Sequence, residues 1–273
     1  MNKPNPITLH GVATGYPTPR NGFHTVCRDM CATAPAATLT CIIGRNGTGK
    51  STLLRTIARL QPPHSGDISI GGDSLARLTR RQLSRRLSIV LTSRPDSDDL
   101  RVDELAALGR TPYTDFWGRL SAADREVASR ALAMVGMEGM AGRRVCSLSD
   151  GECQKAMIAK SLAQDTPVIL LDEPTAFLDY PGKVELMLLL ARLAHNEGKT
   201  VLLSTHDIET ALQTADRLWL LRDGGIEEGT PHELAASGAI EAYIGRDDVK
   251  LDPSSLSLRI THTLNNHTTD LQL

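Results

Sequence analysis

The chain has 273 residues, with 30 Lys and Arg against 32 Asp and Glu, a formal net charge of −2, and 41% hydrophobic residues. This length is ample for one large domain with a buried core, and the composition excludes wholesale disorder. A nearly neutral charge also excludes general electrostatic capture of nucleic acid or anionic lipid as the main function.

Three further features bear on where the protein works. No stretch approaches the roughly 20 uninterrupted apolar residues of a membrane-spanning helix, because the richest, 184–194, contains Glu185 and Arg192. Residues 1–6 lack the apolar core of a signal peptide, so we expect the protein in the cytoplasm. The five cysteines form no CxxC pair, and we interpret them as buried or inert thiols.

The first strongly predicted strand, Leu39–Gly44, leads through a glycine-rich stretch into a helix over 52–58. The stretch Gly44-Arg-Asn-Gly-Thr-Gly-Lys-Ser51 matches GxxxxGK[ST]. In this motif the glycines let backbone amides turn toward phosphate oxygens, the lysine reaches the β- and γ-phosphates, and the hydroxyl coordinates Mg²⁺. The predicted nucleotide contacts of this loop are Gly44, Asn46, Gly47, Gly49, Lys50, Ser51 and Thr52.

Residues 102–163 carry helical signals instead, including a capping box at Ser121 and Asp124 that opens a helix reaching Val135. We expect a helical subdomain, roughly 93–164, inserted into a domain that spans 1–245. The remaining residues, 246–273, are rich in Ser, Thr and Asn, and we expect them to form a polar, loosely packed tail.

Two later apolar runs, 168–171 and 201–203, are typical of buried parallel strands, and an apolar helix over 181–196 connects them. This βαβ unit predicts an α/β fold with a parallel sheet. The first run ends in Asp172, which could reach Mg²⁺, and Glu173, which could orient and polarise an attacking water. Together with the phosphate loop, these residues leave a kinase, a GTPase, a helicase and a transport ATPase open.

The stretch Leu148-Ser-Asp-Gly-Glu152 resembles the LSGGQ signature of ATP-binding cassette (ABC) proteins, and it precedes Asp172 where that family has it. An isolated serine here would be an ordinary helix N-cap. The resemblance runs over about residues 7–243 and implies a P-loop NTPase (RecA-like) core with an inserted α-helical subdomain. It also implies that Ser149 and Gly151 donate hydrogen bonds to a γ-phosphate, and that ATP with Mg²⁺ is the ligand.

Four more residues take roles from this resemblance. Tyr16 resembles the aromatic residue that stacks on adenine. Asp179 lies in a segment similar to the D-loop, placed to communicate with the opposite subunit, and His206 lies in a segment similar to the switch region, where it would contact the γ-phosphate. Thr92 stands where the family usually has a glutamine that touches Mg²⁺, and its hydroxyl can still reach the metal, although over a shorter distance.

The resemblance also implies partners. Two ABC cassettes sandwich two ATP molecules, so we expect a homodimer with catalytic Glu173, His206 and Lys50 in each copy. A cassette without membrane spans implies two integral-membrane permease subunits, a substrate-binding protein in the full system, and a location on the cytoplasmic face of the inner membrane. We expect no nucleic acid partner.

The segment 107–120 resembles that of importer ATPases for iron-siderophores, haem and cobalamin. It gathers Tyr113, Phe116 and Trp117, which would either dock a permease helix or pack within the helical subdomain. We therefore predict the ATP-hydrolysing subunit of such an importer. Two alternatives remain: a soluble ABC ATPase of repair, translation or iron-sulfur assembly, and a regulatory cassette that binds ATP without hydrolysing it.

Overall fold

A computed structural model describes residues 6–18, 22–92, 99–115, 117–246 and 248–260. Its strands are β1 (Ile7–Pro17), β2 (Phe23–Ala34), β3 (Leu39–Gly44), β4 (Ser65–Ile70), β5 (Asp73–Ser74), β6 (Leu87–Val90), β7 (Val168–Asp172), β8 (Thr200–Thr205), β9 (Arg217–Arg222), β10 (Gly225–Gly229), β11 (Val249–Asp252) and β12 (Ser257–Ile260). Its α-helices are α1 (Lys50–Ile57), α2 (Arg80–Ser84), α3 (Val102–Ala107), α4 (Ala122–Met134), α5 (Asp150–Ala163), α6 (Tyr180–His195), α7 (Ile208–Thr214), α8 (Pro231–Ala236) and α9 (Ala239–Ile244).

A six-stranded sheet in the order β10-β9-β3-β8-β7-β6 forms the centre of the molecule. The five strands from β9 to β6 are parallel, and β10 pairs antiparallel at one edge. Every residue of β3, β7 and β8 is buried, because both faces of a parallel sheet are covered. The three apolar runs are thus confirmed as parallel strands, and α6 is the predicted crossover between β7 and β8.

Each face of this sheet has its own hydrophobic core. Successive side chains of a strand point to opposite faces, so Cys41 and Ile43 of β3 pack on one side and Ile42 on the other. The first core includes residues of α3 to α6, and the second includes α1 and the strands of the other large sheet. Helix α1 is therefore anchored by its apolar residues directly behind the glycine-rich loop.

A second sheet, antiparallel and ordered β2-β1-β4-β5, lies beside the central one and was not predicted. The β1 and β2 pairing contains three register shifts, which interrupt the alternation of apolar and polar residues that signals a strand. This sheet is joined to the central one by the hydrogen bond from Arg28 N to Gly224 O, 2.7 Å, and from Thr33 N to Glu228 Oε2, 2.8 Å.

Helices α3, α4 and α5 lie between β6 and β7 along the chain and pack against one another. The predicted aromatic cluster is divided here. The Arg110 guanidinium lies 4.0 Å from the ring centroid of Tyr113, so Tyr113 packs internally, whereas Trp117 is 76% exposed. Phe116 lies outside the described residues. In the described part of the chain, no helix combines the length and apolar composition needed to cross a bilayer.

The carboxyl-terminal part differs from the expected loose tail. Strands β11 and β12 form an antiparallel hairpin, and Leu251 and Leu256, each 7% exposed, belong to the first core. The prediction of a loosely packed tail is wrong for residues 249–260, because these two leucines supply apolar anchors that the Ser- and Thr-rich composition conceals. Residues 261–273 lie outside the described chain.

The five cysteines divide by burial, and none of them forms a disulfide. Cys27, Cys41 and Cys153 are buried, as the interpretation required, while Cys31 and Cys146 are exposed. Burial raises the pKa of the Cys27 thiol above its ordinary value, against a lowering hydrogen bond with Thr14, so this thiol stays protonated at neutral pH.

Candidate active site

The candidate site lies at the carboxyl ends of three neighbouring strands, β3, β8 and β7. Strand β3 ends at Gly44, and the β7 and β8 pairing places Asp172 opposite Ser204. Open α/β sheets bind ligands at this edge, because the residues that follow parallel strands meet there. The glycine-rich loop, the two acidic residues and His206 therefore come together although they are far apart in the sequence.

At two positions, the glycine-rich loop has a backbone conformation that only glycine adopts without strain. Gly47 has φ 83° and Gly49 has φ 102°. A side chain at Gly49 would place its Cβ 2.6 Å from Val26 Cγ1 and 2.9 Å from Cys27 Sγ. No side chain caps the start of α1, so the first amides of this helix are available to an anionic ligand.

Lys50 is 5% exposed and lies folded against the loop. Its Nζ donates to Gly44 O at 2.8 Å and to Arg45 O at 3.4 Å, and it lies 3.4 Å from Glu173 Oε1. A buried ammonium needs such partners, because an unpaired charge in a protein interior is strongly unfavourable. The structure thus brings the predicted phosphate-binding lysine and the predicted base together as an ion pair.

Asp172 is 2% exposed and is held by two hydroxyl groups. Its Oδ1 accepts hydrogen bonds from Ser51 Oγ at 2.8 Å and from Ser204 Oγ at 2.8 Å. The next residue, Glu173, has φ 47° and donates its backbone N–H to Ser204 Oγ at 2.9 Å. The two acidic residues are therefore held by the phosphate loop on one side and by β8 on the other.

His206 follows β8 and is half exposed. Its Nδ1 lies 3.3 Å from Glu173 Oε2. The neighbouring Asp207 caps α7 by accepting from Thr210 N at 3.2 Å, and it lies 3.3 Å from Lys183 Nζ. Burial acts to raise the pKa of Asp207, but these hydrogen bonds and the lysine charge outweigh it and hold the pKa below its ordinary value. His206 therefore lies between the end of β8 and an ionised aspartate that caps α7.

Thr92 lies at the edge of the same site, where its Oγ1 donates to Asp172 O at 3.0 Å. Its hydroxyl oxygen, that of Ser51 and the carboxylate of Asp172 are all hard oxygen donors. Magnesium sites in nucleotide-dependent enzymes use one or two protein carboxylates, hydroxyls and phosphate oxygens rather than a complete protein cage. The side chains present therefore fit a magnesium ion.

A cavity of about 550 Å³ opens above the glycine-rich loop. Tyr16, 51% exposed, borders it, with its ring centroid 5.0 Å from that of His24. This volume lies within the range of small-molecule sites. The lining residues come from β1, β2, the loop and the end of β7: Tyr16, His24, Thr25, Val26, Asn46, Gly47, Gly49, Lys50, Ser51, Thr52 and Glu173.

The segment 148–152 opens α5, and Ser149 is its N-cap. Ser149 Oγ accepts from Glu152 N at 3.3 Å, while Glu152 Oε2 accepts from Ser149 N at 2.8 Å and from Ser149 Oγ at 3.0 Å. The backbone and side-chain hydrogen bonds from Ser149 hold the pKa of Glu152 below its ordinary value. Ser149 is therefore an N-cap, and it is exposed.

Gly151 and Asp179 lie beside each other at the starts of two helices. A Cβ at Gly151 would lie 2.9 Å from Leu178 Cδ2, and Asp179 Oδ1 caps α6 by accepting from Gly182 N at 3.0 Å. Ser149, Gly151 and Asp179 do not line the cavity. The structure thus brings the phosphate loop, Asp172, Glu173 and His206 together, and it leaves the signature residues apart from them.

Four residues of the site were not singled out from the sequence. Ser204, which contacts both acidic residues, lies in the segment similar to the switch region but was given no role. Its place at the end of a buried strand next to that of Asp172 is the signal that points to it. His24, Thr25 and Val26 reach the cavity through the β1 and β2 pairing, and the sequence carries no comparable signal for them.

In a comparison with known proteins, a family model and individual relatives point to the same family. A family model described as ABC transporter matches residues 27–176. The ferric enterobactin transport ATP-binding protein FepC of Escherichia coli is 36% identical over 225 residues, which is 82% of this chain and 83% of that one. The petrobactin import ATP-binding protein FpuC of Bacillus anthracis is 41% identical over 205 residues, or 75% of each chain.

A solved structure shows the same arrangement of elements. The dimeric structure of MJ0796, a bacterial ABC transporter cassette, matches with a TM-score of 0.73 and 28% identity, over 82% of this chain and 98% of that one. Most of this fold therefore recurs in a cassette whose own structure is a dimer.

Proposed function

This chain belongs to the ABC transporter family and is an ATPase of that family, and we propose that it powers the import of an iron-siderophore complex. The fold expected from the resemblance, a P-loop NTPase core with inserted helices, is confirmed. The observation that carries its hydrolytic part is the meeting of Lys50, Ser51, Asp172, Glu173 and His206 at one edge of the sheet.

In the proposed reaction, Glu173 orients a water molecule for attack on the γ-phosphorus of ATP and accepts one of its protons. The bond between the γ-phosphorus and the bridging oxygen breaks, giving ADP and inorganic phosphate. Lys50 and His206, both within 3.4 Å of the Glu173 carboxylate, would offset the charge that develops on the γ-phosphate oxygens. Tyr16, on the cavity wall, would stack on the adenine ring.

Magnesium would be held by Ser51, Asp172 and the hydroxyl of Thr92, whose oxygens lie together at the end of β7. When bound, Mg²⁺ offsets the charge of the β- and γ-phosphates. The chain's own contribution is to hold the Asp172 carboxylate in place, which the two serine hydroxyls on Oδ1 do. The departure from glutamine at Thr92 thus keeps an oxygen at the site.

Two copies of the chain would complete each active site. Ser149, Gly151 and Asp179 lie at exposed helix starts outside the cavity of their own chain, so they can act on ATP only in a second copy. The MJ0796 cassette, 28% identical, has been solved as a dimer. We therefore propose a head-to-tail homodimer in which Ser149 and Gly151 donate to the γ-phosphate bound by the partner.

The cargo proposal rests on the relatives. FepC is named for ferric enterobactin transport and FpuC for petrobactin import, and both match most of this chain. These matches favour import over a soluble ABC ATPase of repair, translation or iron-sulfur assembly. The full system would contain two permease subunits and a substrate-binding protein, with this chain on the cytoplasmic face of the membrane.

The hydrolytic role is tested by Glu173→Gln, which keeps the size of the side chain but removes the base. We expect ATP affinity to stay within about twofold and steady-state hydrolysis to fall about 100-fold or more, as loss of a general base does. Glu197→Gln, an exposed change in the loop before β8, is the matched control and should hydrolyse ATP normally. Unchanged hydrolysis by Glu173→Gln would remove Glu173 from the mechanism.

The transport role is tested in liposomes that contain the cognate ferric-siderophore permease pair, with the cognate binding protein added outside. We expect ATP enclosed with the wild-type chain to drive uptake of a radiolabelled ferric siderophore, and Glu173→Gln to abolish that uptake. A chain that hydrolyses ATP normally but neither binds the permease nor supports uptake would favour the soluble alternative.

A further inference from the structure

Ser204, the fifth residue of β8, is fully buried and contacts both acidic residues of the site. Its Oγ lies 2.8 Å from Asp172 Oδ1 and 2.9 Å from the backbone nitrogen of Glu173. One hydroxyl therefore joins the residue expected to hold the metal to the residue expected to activate water. The glycine-rich loop reaches Asp172 through Ser51 but does not make this bond to the Glu173 backbone.

The direction of these two hydrogen bonds is fixed by chemistry. A serine hydroxyl has one proton to donate and two lone pairs to accept with, whereas an ionised carboxylate only accepts and a backbone N–H only donates. Ser204 must donate to Asp172 and accept from Glu173. Its single proton is thereby committed, and the hydroxyl cannot rotate to another partner without losing a bond in a fully buried place.

Glu173 needs such a restraint more than an ordinary strand residue does. Its φ of 47° lies in the left-handed region, which residues with a Cβ adopt only when their surroundings compensate for the strain. The bond from its N–H to Ser204 is a contact that compensates at this residue. The backbone turn in turn aims the Glu173 side chain toward Lys50 and His206.

We propose that Ser204 is a positioning residue for hydrolysis, which holds the backbone of Glu173 in its left-handed turn and so aims the carboxylate at the attacking water. The proposal rests on the proposed ATPase function of the same site. Ser204 itself does not line the cavity, so it acts through a residue that it holds, and of its two partners Glu173 is the one whose backbone is strained. Small misplacements of a catalytic group cost up to about 100-fold in rate.

The first test compares Ser204→Ala with wild type in ATP hydrolysis and in ATP binding. We expect kcat to fall between about 10- and 100-fold while KM and the affinity for ATP measured with EDTA stay within about twofold. Ser204→Thr, which keeps the hydroxyl, should recover most of kcat. The control is Thr200→Val, which removes another buried hydroxyl at the opposite end of β8, where Thr200 Oγ1 accepts from Ala37 N. This variant should leave kcat unchanged.

The second test asks which carboxylate Ser204 acts through. If it acts through Glu173, Ser204→Ala should lower the residual single-turnover rate of Glu173→Gln by less than about twofold. The Mg²⁺ concentration for half-maximal rate should also change by less than about twofold, because Ser51 Oγ still donates to Asp172 Oδ1 at 2.8 Å. A Ser204→Ala effect that persists in full in the Glu173→Gln chain, or a raised Mg²⁺ requirement, overturns the proposal in favour of a role through Asp172.

The controls separate this proposal from the function on which it rests. If wild type shows no Mg²⁺-dependent hydrolysis, or Glu173→Gln hydrolyses ATP like wild type, the proposed function fails. If both behave as expected and Ser204→Ala has the kcat of wild type, only the role of Ser204 fails. A fall in kcat that Thr200→Val reproduces would mark a general loss of packing in β8 and would also overturn the proposal.

Discussion

Lys50 has partners that the oxygens of a bound nucleotide could replace. Its ammonium lies 3.4 Å from Glu173 Oε1 and donates to the carbonyl of Gly44. A triphosphate in the cavity would offer anionic oxygens in place of the carboxylate, so the buried lysine would never lose its negative partner. The exchange would also release Glu173 to contact water. One ion pair thus links nucleotide binding to the availability of the base.

Thr92 gives a direct prediction about the metal. Thr92→Val removes the hydroxyl and its 3.0 Å bond to Asp172 O while keeping the shape of the side chain. We expect the Mg²⁺ concentration for half-maximal hydrolysis to rise and kcat to fall, each by about 10-fold, as for other residues that orient metal ligands. Steady-state hydrolysis titrated with Mg²⁺ measures both.

The control for Thr92 is Thr200→Val, which makes the same chemical change in a buried threonine at the far end of β8. Full Mg²⁺-dependent hydrolysis and transport by Thr92→Val would show that the hydroxyl is dispensable. Of the described residues proposed to hold the metal, Ser51 and Asp172 would then remain.

The sequence predicted the site residues that stand in motifs better than those that strand pairing brings to the site. Lys50, Asp172 and Glu173 stand in motifs whose spacing is tied to a buried strand and a helix start, so their meeting follows from the βαβ pattern. Ser204 and His24 have no such spacing. Ser204 matters because the pairing of β7 and β8 sets it opposite Asp172, and His24 because the pairing of β1 and β2 sets it opposite Tyr16. Such pairing is a property of the folded sheet.

The hairpin of β11 and β12 shows how a short element with polar composition can still pack. Its Leu251 and Leu256 join the core that α3 to α6 share with the central sheet, and β11 and β12 contact α9 and α7. At its turn, hydrogen bonds from Ser254 and Ser255 lower the pKa of Asp252 to about 2, so the carboxylate stays ionised throughout the physiological range.

We expect Leu251→Ala to destabilise the chain by about 3 kcal/mol, since it removes most of a buried leucine side chain and leaves a cavity. Ile260→Ala, on the same hairpin but 66% exposed, should change the free energy of unfolding by no more than about 0.5 kcal/mol. Chemical denaturation followed by circular dichroism measures both. Equal, small effects would mean that the hairpin does not share the core.

The sequence predicted the strands in which every residue is buried, and a helix that begins at a capping box. Every residue of β3, β7 and β8 is buried, so their apolar runs are unbroken, and α4 begins at the predicted capping box of Ser121. Strand β2 was missed because exposed and buried positions do not alternate along it, as Arg28 and Asp29 are both exposed. A β-bulge interrupts the two-residue alternation of buried and exposed side chains by which a strand is recognised in a sequence.

The molecule as a whole has two kinds of functional surface that do not meet within one copy. The cavity holds the phosphate loop, Glu173 and Tyr16, while Ser149 and Asp179 stand at helix starts outside it. Because Ser149 also caps α5, an alanine variant would confuse lost helix stability with a lost contact to phosphate. A substitution that keeps the cap separates the two roles.

Ser149→Asp provides this separation, because aspartate is as good an N-cap as serine but carries a negative charge. We expect ATP binding by the isolated chain to be unchanged, and thermal stability to fall no more than in Ser121→Asp, because each new carboxylate faces the acidic residue of its own capping box. Hydrolysis by the homodimer should fall about 100-fold through repulsion of the γ-phosphate. Light scattering with ATP should show a loss of the nucleotide-dependent dimer.

The matched control for Ser149→Asp is Ser121→Asp, which makes the same change in the N-cap and capping box of α4. It should leave hydrolysis and dimerisation as in wild type. Normal hydrolysis by Ser149→Asp would show that Ser149 is a helix cap and nothing more.

The placement of α3, α4 and α5 between β6 and β7 has a consequence for folding. These two strands are hydrogen-bonded neighbours, with Val90 paired to Leu171, yet the whole helical segment separates them along the chain. Closing so long a loop costs conformational entropy, and α5 offsets part of it by contacting β6 directly, as Ser161 Oγ does at 2.7 Å from Ser88 Oγ. We therefore expect the edge strand and the helical segment to fold as one unit onto the middle strands of the sheet.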